Sequence, residues 1–160
     1  MTDQDDPRTI VRAIVGSNLY MVLGTADESG TPWVSPVWYA HDGTSTVYWV
    51  SSPEATHSRN IAARADVSIV IFDSGARIYA GQALYVSATA HLLTDGEDEA
   101  AIEVISRRSK LHGADTWTVD DVRPPARLRL YRAVASARWI LEPGAPTDRR
   151  IEVPLDEGQR

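Results

Sequence analysis

The sequence predicts a mainly β (α+β) fold, six or seven antiparallel strands curled into a small barrel with a few short helices. Runs rich in aromatic and β-branched residues recur with turn residues between them: LYMVLGTA, TPWVSPVWYA and STVYWVSS are separated by DESG and HDG. These runs form a meander, unlike the strand–helix alternation that marks a parallel sheet. Large rings also occupy both faces of the hairpin. Trp33 and Tyr39 fall on one side and Trp38 on the other, and Tyr48 and Trp49 face opposite ways. A core lies under one such face, and a partner subunit, a ligand or both over the other.

In order along the chain, PRTIVRAIVGSN opens a first helix, with Asp6 as cap, Pro7 in the first turn, and Ile10, Val11 and Ile14 spaced helically. The three-stranded meander follows, then a polar loop, a short helix in HSRNIAARA and a buried strand in VSIVIFD. QALYVSATAHLLT alternates as a long strand. DEAAIEVISRRSK is an amphipathic helix turning Ala101, Ile102 and Ile105 inward, and the acidic run from Asp95 is its first turn. ARLRLYRAVASARWIL is long enough to bend around a barrel, and RRIEVPL adds a last strand. One domain is expected over residues 1–160, with 1–6 and 156–160 flexible; there is no repeat or linker.

Composition limits the function. The chain has 160 residues, 43% of them hydrophobic, enough for a real core. A net charge of −6 argues against a nucleic-acid surface, which needs a broad basic face to neutralise phosphates. No apolar run approaches the roughly 20 residues of a membrane span, so no membrane partner is expected, and the acidic start MTDQDDP suits a cytoplasmic protein. The absence of cysteine excludes thiol nucleophiles and thiolate metal sites. His41, His57, His91 and His112 lack metal-ligand spacing, so no metal is expected. Nucleophile-elbow, zinc-protease, Walker and dinucleotide-loop motifs are all missing, and no catalytic side chain is assigned. Trp117 is read as a packing residue.

The loop SSPEATHSRN holds the most chemistry. Ser52, Pro53 and Glu54 form a cap followed by proline and an acid, so a helical turn is expected there, placing unpaired N–H groups beside Ser51 and Ser52. With His57 and Arg59 nearby, the loop suits an anion. A solvated turn, with Ser52 capping and Asn60 closing it, is the competing reading.

Taken in succession, GTPWVSPVWYAHDG, STVYWVSS, HSRNIAARADVSIVIFD and QALYVSATA resemble the flavin-binding split β-barrel family that includes pyridoxamine 5′-phosphate oxidase, and also the deazaflavin-dependent reductases built on the same barrel. The resemblance runs from about Leu19 to Ala90 and returns in RLYRAVASARWIL. It implies a homodimer with cofactor sites at the subunit interface, each drawing on both chains, and a small-molecule substrate. Carried over by position, Ser35, Pro36, Val37 and Trp38 would present main-chain groups to the isoalloxazine edge, and Val50, Ser51 and Ser52 would line the ribityl and phosphate. His57 stands where the family often has a phosphate-binding lysine, with Arg59 and Asn60 following. Gln82 and Trp139 resemble a flavin-contacting glutamine and an aromatic near the ring.

Departures from the family qualify the activity. Ser35 replaces a basic residue, and no histidine follows His112, so the arginine–histidine pair that holds the vitamin B6 substrate is missing. Arg149 or Arg150 could reach a cofactor phosphate. The reading is therefore a flavin (FMN)-binding oxidoreductase transferring hydride to or from a small molecule. The alternatives are a reductase using the deazaflavin coenzyme (factor 420), with Arg59, Arg64, Arg107, Arg108 and Lys110 forming an open basic groove, or a non-catalytic flavin- or haem-binding dimeric barrel with His91 or His57 as the first iron ligand to test.

Overall fold

The computed structural model describes residues 6–78, 80–94 and 96–156. Helix α1 (Pro7–Ser17) is capped by Asp6, whose carboxylate accepts from Thr9 N at 3.1 Å. The strands are β1 (Tyr20–Ala26), β2 (Pro32–Trp38), β3 (Ala40–Asp42), β4 (Thr46–Ser51), β5 (Asp66–Phe72), β6 (Ala83–Leu92), β7 (Arg129–Leu141) and β8 (Arg150–Glu152). Helix α2 (Thr56–Ala63) follows β4, α3 (Asp98–Leu111) follows β6, and a 3₁₀ turn occupies Val119–Asp121. Of the ends expected to be flexible, 1–5 and 157–160 lie outside the described residues. Asp156 is held: it accepts from Thr44 Oγ1 at 2.5 Å and meets Arg138.

All eight strands share one antiparallel sheet in the order β2-β1-β5-β6-β7-β4-β3, with β8 on β7. The path itself has seven strands, as expected, with β8 added on its flank, and the run TPWVSPVWYA does not stay one strand. Its first half pairs with β1 and its continuation past Tyr39 pairs with β4, which curls the sheet until its two ends belong to one stretch of chain. A register break between Ser87 and Ala88 opposite β7 helps the long strands bend.

The closure is incomplete, and hydrogen-bond parity shows where. Tyr39 N donates to Leu19 O and Asp27 N to Thr31 O, so the odd residues of β2 face β1. The main-chain groups of Val34, Pro36 and Trp38 therefore point away from β1. Both prolines of β2, Pro32 and Pro36, stand at outward positions where a missing N–H removes nothing from the ladder. On the opposite side, Ala135 N donates to Ser45 O, so the even residues of β4 face β3. That pairing ends at Ala40 with Tyr48. The next rung would join Trp38 to Val50; it is not made, and from there β2 and β4 diverge as a wedge.

The main core fills the barrel with Met21, Leu23, Tyr39, Trp49, Ile69, Ile71, Tyr131 and Ile140, Trp49 stacking on Tyr131 at 5.6 Å between centroids. A second cluster joins Ile102 and Ile105 of α3 to Ala40 and Leu130, with Trp38, Tyr48 and Val50 packed against it. Part of the second aromatic face is thus covered by the chain's own α3, not by a partner. Trp33, on the same face as the fully buried Tyr39, is 51% exposed because β2 rises out of the barrel toward its start.

Candidate functional site

The wedge gathers most of the residues singled out from the sequence. One wall is the unpaired edge of β2, carrying Ser35, Pro36, Val37 and Trp38; the other is the end of β4 with Val50, Ser51 and Ser52. Ser35 Oγ accepts from Trp33 Nε1 at 3.0 Å, while Val37 turns into the core. Beyond Ser51 the chain does not enter a helix at Ser52. Ser52 Oγ accepts from Glu54 N at 3.1 Å and its carbonyl from Ala55 N, closing a turn, and α2 starts only at Thr56 with no side-chain cap. Pro53, in this turn, leaves Glu54 and Ala55 as the donors that Ser52 satisfies.

His57, in the first turn of α2, meets Ser51 Oγ through Nε2 at 2.8 Å. Burial of the ring holds its pKa below the ordinary histidine value. The pair is a neutral imidazole with an adaptable hydroxyl, able to become a cation against an anion. Arg59 reaches back to the Glu54 carbonyl and lies 4.0 Å from its carboxylate, exposed. Asn60 is buried and turned the other way, donating to Thr25 Oγ1 at 3.0 Å, which in turn donates to Trp33 O. Asn60 therefore ties α2 to β1, and through Thr25 to the start of β2.

Gln82 and Trp139 are elsewhere. Gln82 donates to Leu141 O at 3.0 Å, and its carbonyl oxygen is buried without a partner. Trp139 lies in one cross-strand row with Tyr85, Val70, Val22 and Pro36. Pro36 and Trp139 are four strand spacings apart on this row, ~19 Å along the sheet. Trp139, Tyr85, Val70 and Arg150 line an outer hollow of about 460 Å³, with the Arg150 guanidinium 4.1 Å from the Tyr85 ring centroid. A neighbouring trough of about 500 Å³ runs past Trp33, Val34, Ser68 and Ser87, floored by Gly24, where an added Cβ would sit 3.3 Å from Ser68 O. Tyr85 was missed in the sequence; its outward phase in the alternating β6 was the available signal. Of the two arginines near the C-terminus, Arg149 pairs with Glu142 and Arg150 enters the hollow.

The cations proposed for an open groove are largely committed. Arg108 is buried, donates to Asn18 O at 2.6 Å, and covers the Tyr39 ring at 5.1 Å; Arg64 donates to Glu28 O. The histidines proposed for iron are also engaged. His91 Nε2 sits 3.0 Å from Arg132 Nη2, and because arginine only donates, that nitrogen carries the lone pair.

No curated protein matches the sequence. Among solved structures, the fold resembles a haem-binding protein from Mycobacterium smegmatis (TM-score 0.68, 20% identity, 89% of this chain and 55% of that one). It also resembles the haem storage protein HutZ from Vibrio cholerae (TM-score 0.64, 20% identity, 82% and 90%). An F420 reductase gives a TM-score of 0.57 at 22% identity, covering 79% and 94%. No helix among the described residues is long and apolar enough to cross a membrane. The sequence model of pyridoxamine 5′-phosphate oxidase matches residues 9–138, well over half of the length and the whole span from α1 into β7, and the chain belongs to that family.

Proposed function

We propose that the protein is a flavin-dependent oxidoreductase that acts as a homodimer, with FMN held between the wedge of one copy and the outer hollow of the other. The observation that carries this is the separation of the two loci. The wedge offers an unpaired main-chain edge and an anion-ready Ser51–His57 pair. The hollow offers an aromatic wall and Arg150, four strands away on the same molecule. Neither alone encloses a flavin, and a two-fold copy can bring the second to the first.

The residues suit the ligand. The imide edge of an isoalloxazine is an N–H between two carbonyls, complementary to the outward N–H groups of Val34 and Trp38 and the carbonyls of Val34, Pro36 and Trp38. A compact phosphate dianion suits Ser51, Ser52, His57 and Arg59. Once bound, the flavin supplies hydride transfer, and the chain's own residues orient the ring and exclude water from one face. FMN is preferred to the deazaflavin coenzyme, whose longer anionic tail needs an open basic groove that the buried Arg108 and the engaged Arg64 do not form. Ligation of iron through Nε2 would require it to displace Arg132 from His91 or Ser51 from His57.

The test is a side-by-side fluorescence titration of the purified protein with FMN and the deazaflavin coenzyme. Tight FMN binding, weakened by Arg150→Ala and by Ser51→Ala, is expected. Binding of the deazaflavin alone would replace FMN in this reading, and binding of neither would end it.

A further inference from the structure

None of the four residues named above for the phosphate is a fixed cation. His57 is held neutral by burial, and Arg59 is exposed and leans on Glu54. A phosphate dianion is held best by a positive group whose position is set before it arrives.

The register of the sheet supplies such a group. Ser51, the last residue of β4, stands directly opposite Arg129, the first of β7. Residues so paired carry their Cβ atoms about 5 Å apart on one face of the sheet. Here that face is the barrel side, since Ser51 continues the phase of Val47 and Trp49, and Arg129 that of Tyr131 and Ala133. The preceding pair on it is the buried stack of Trp49 on Tyr131. Arg129 therefore stands beyond a rigid aromatic floor, across from the hydroxyl that meets His57 at 2.8 Å.

Only part of its guanidinium is engaged. Nη1 donates to Ala126 O and Leu128 O, both at 2.6 Å, which fixes the head. Among the described residues, Nε and Nη2 donate to no oxygen and no carboxylate pairs with the side chain. Nε and Nη2 form the side-on fork of an arginine. With the same two nitrogens Arg123 grips Asp98 in this molecule, at 2.7 and 2.8 Å. A half-buried arginine without a counter-charge is unfavourable, and an anion presenting two oxygens relieves it.

We propose that Arg129 makes the site specific for a phosphorylated flavin, gripping the FMN phosphate side-on across from Ser51 and His57. This rests on the FMN reading and adds to it the choice of FMN over riboflavin.

The test is a fluorescence titration of FMN and of riboflavin against the wild-type protein, Arg129→Gln and Arg129→Lys. The ratio of the two affinities is the readout, because loss of the hold on Ala126 and Leu128 alone would weaken both flavins alike and leave the ratio unmoved. Arg129→Gln is expected to lower the preference for FMN at least tenfold, and Arg129→Lys, which keeps the charge without the fork, to lower it less. Should Arg129→Gln fail to fold, ¹⁵N-labelled wild-type protein decides: the Arg129 Nε–H signal is expected to shift with FMN and not with riboflavin. An unchanged ratio in Arg129→Gln, or an Nε–H signal indifferent to FMN, would overturn the role of Arg129 while FMN still binds. Wild-type protein that binds neither flavin would instead end the FMN reading, and this inference with it.

Discussion

His57 is the residue on which cofactor affinity should turn with pH. Burial keeps it neutral in the unliganded wedge, and a phosphate beside it favours the charged form, so FMN binding takes up a proton. Affinity is expected to be highest at mildly acidic pH and to fall as pH rises through the pKa of the bound state. Riboflavin, lacking the phosphate, should show little of this slope. Titrations of both ligands across pH 5.5 to 8.5, a window around the ordinary histidine value of about 6.5, check it; equal slopes would remove His57 from the phosphate. Arg59→Ala should cost about 1 kcal/mol of FMN binding and vanish at high salt, because the side chain is exposed and already shared with Glu54. At this scale the sequence was readable where polar side chains clustered in one loop. It was not readable for Asn60, whose partner Thr25 is 35 residues away, nor for Arg108 and Arg138, since an arginine in a helix or strand reads as solvated until the carbonyls it serves are in place.

Most elements were legible because their signals are local. The Asp6–Pro7 start fixed α1, a short buried apolar run marked β5, a long strand pattern marked β6, and the inward stripe of Ala101, Ile102 and Ile105 marked α3. The break at Tyr39 was not, because TPWVSPVWYA has one unbroken strand pattern and only the change of partner from β1 to β4 divides it. The late start of α2 has a similar cause: the Ser52 hydroxyl found Glu54 N two residues on instead of a helix turn. Gly24 makes the element-scale test. It floors the outer trough on β1, so Gly24→Val should destabilise by ~1–3 kcal/mol, through crowding of Ser68 O, and also fill the trough. Urea melts and FMN titration of the folded fraction separate the two effects. Ile105→Ala, in the second core, should cost ~2–5 kcal/mol in the same melts, and because Trp38 and Val50 pack on that core it should also loosen the wedge.

For the molecule as a whole, the outer face of β1 and β2 exposes Tyr20 and Val34, at 60% and 67%, beside the trough. A dimer that buries this face is expected in light scattering, with Val34→Asp giving monomers that lose FMN binding together with the interface. A monomer that still binds FMN tightly would undo the shared site. Stability should respond to acid in two stages. His41 and His57 are kept neutral by burial, so the unfolded chain binds more protons, and stability falls as pH drops below about 6.5. Asp98, lowered chiefly by its bonds to Arg123, and Asp156, lowered chiefly by Thr44, add stability present above the ordinary carboxylate range and lost below it. Thermal melts from pH 8 to 3 would show both.

The two prolines of β2 have a consequence for how the protein behaves in a crowded cell. A bare strand edge normally invites a stranger's strand to zip onto it, and a wedge that exposes one permanently is a standing risk of fibril growth. Pro32 and Pro36 remove the outward donors at two of the four even positions of β2, leaving only Val34 and Trp38 to offer an N–H. An arriving strand finds gaps in the row and cannot form a continuous ladder, whereas a short, flat ligand needing one or two contacts is not hindered. The same edge is thereby open to a small guest and closed to polymerisation.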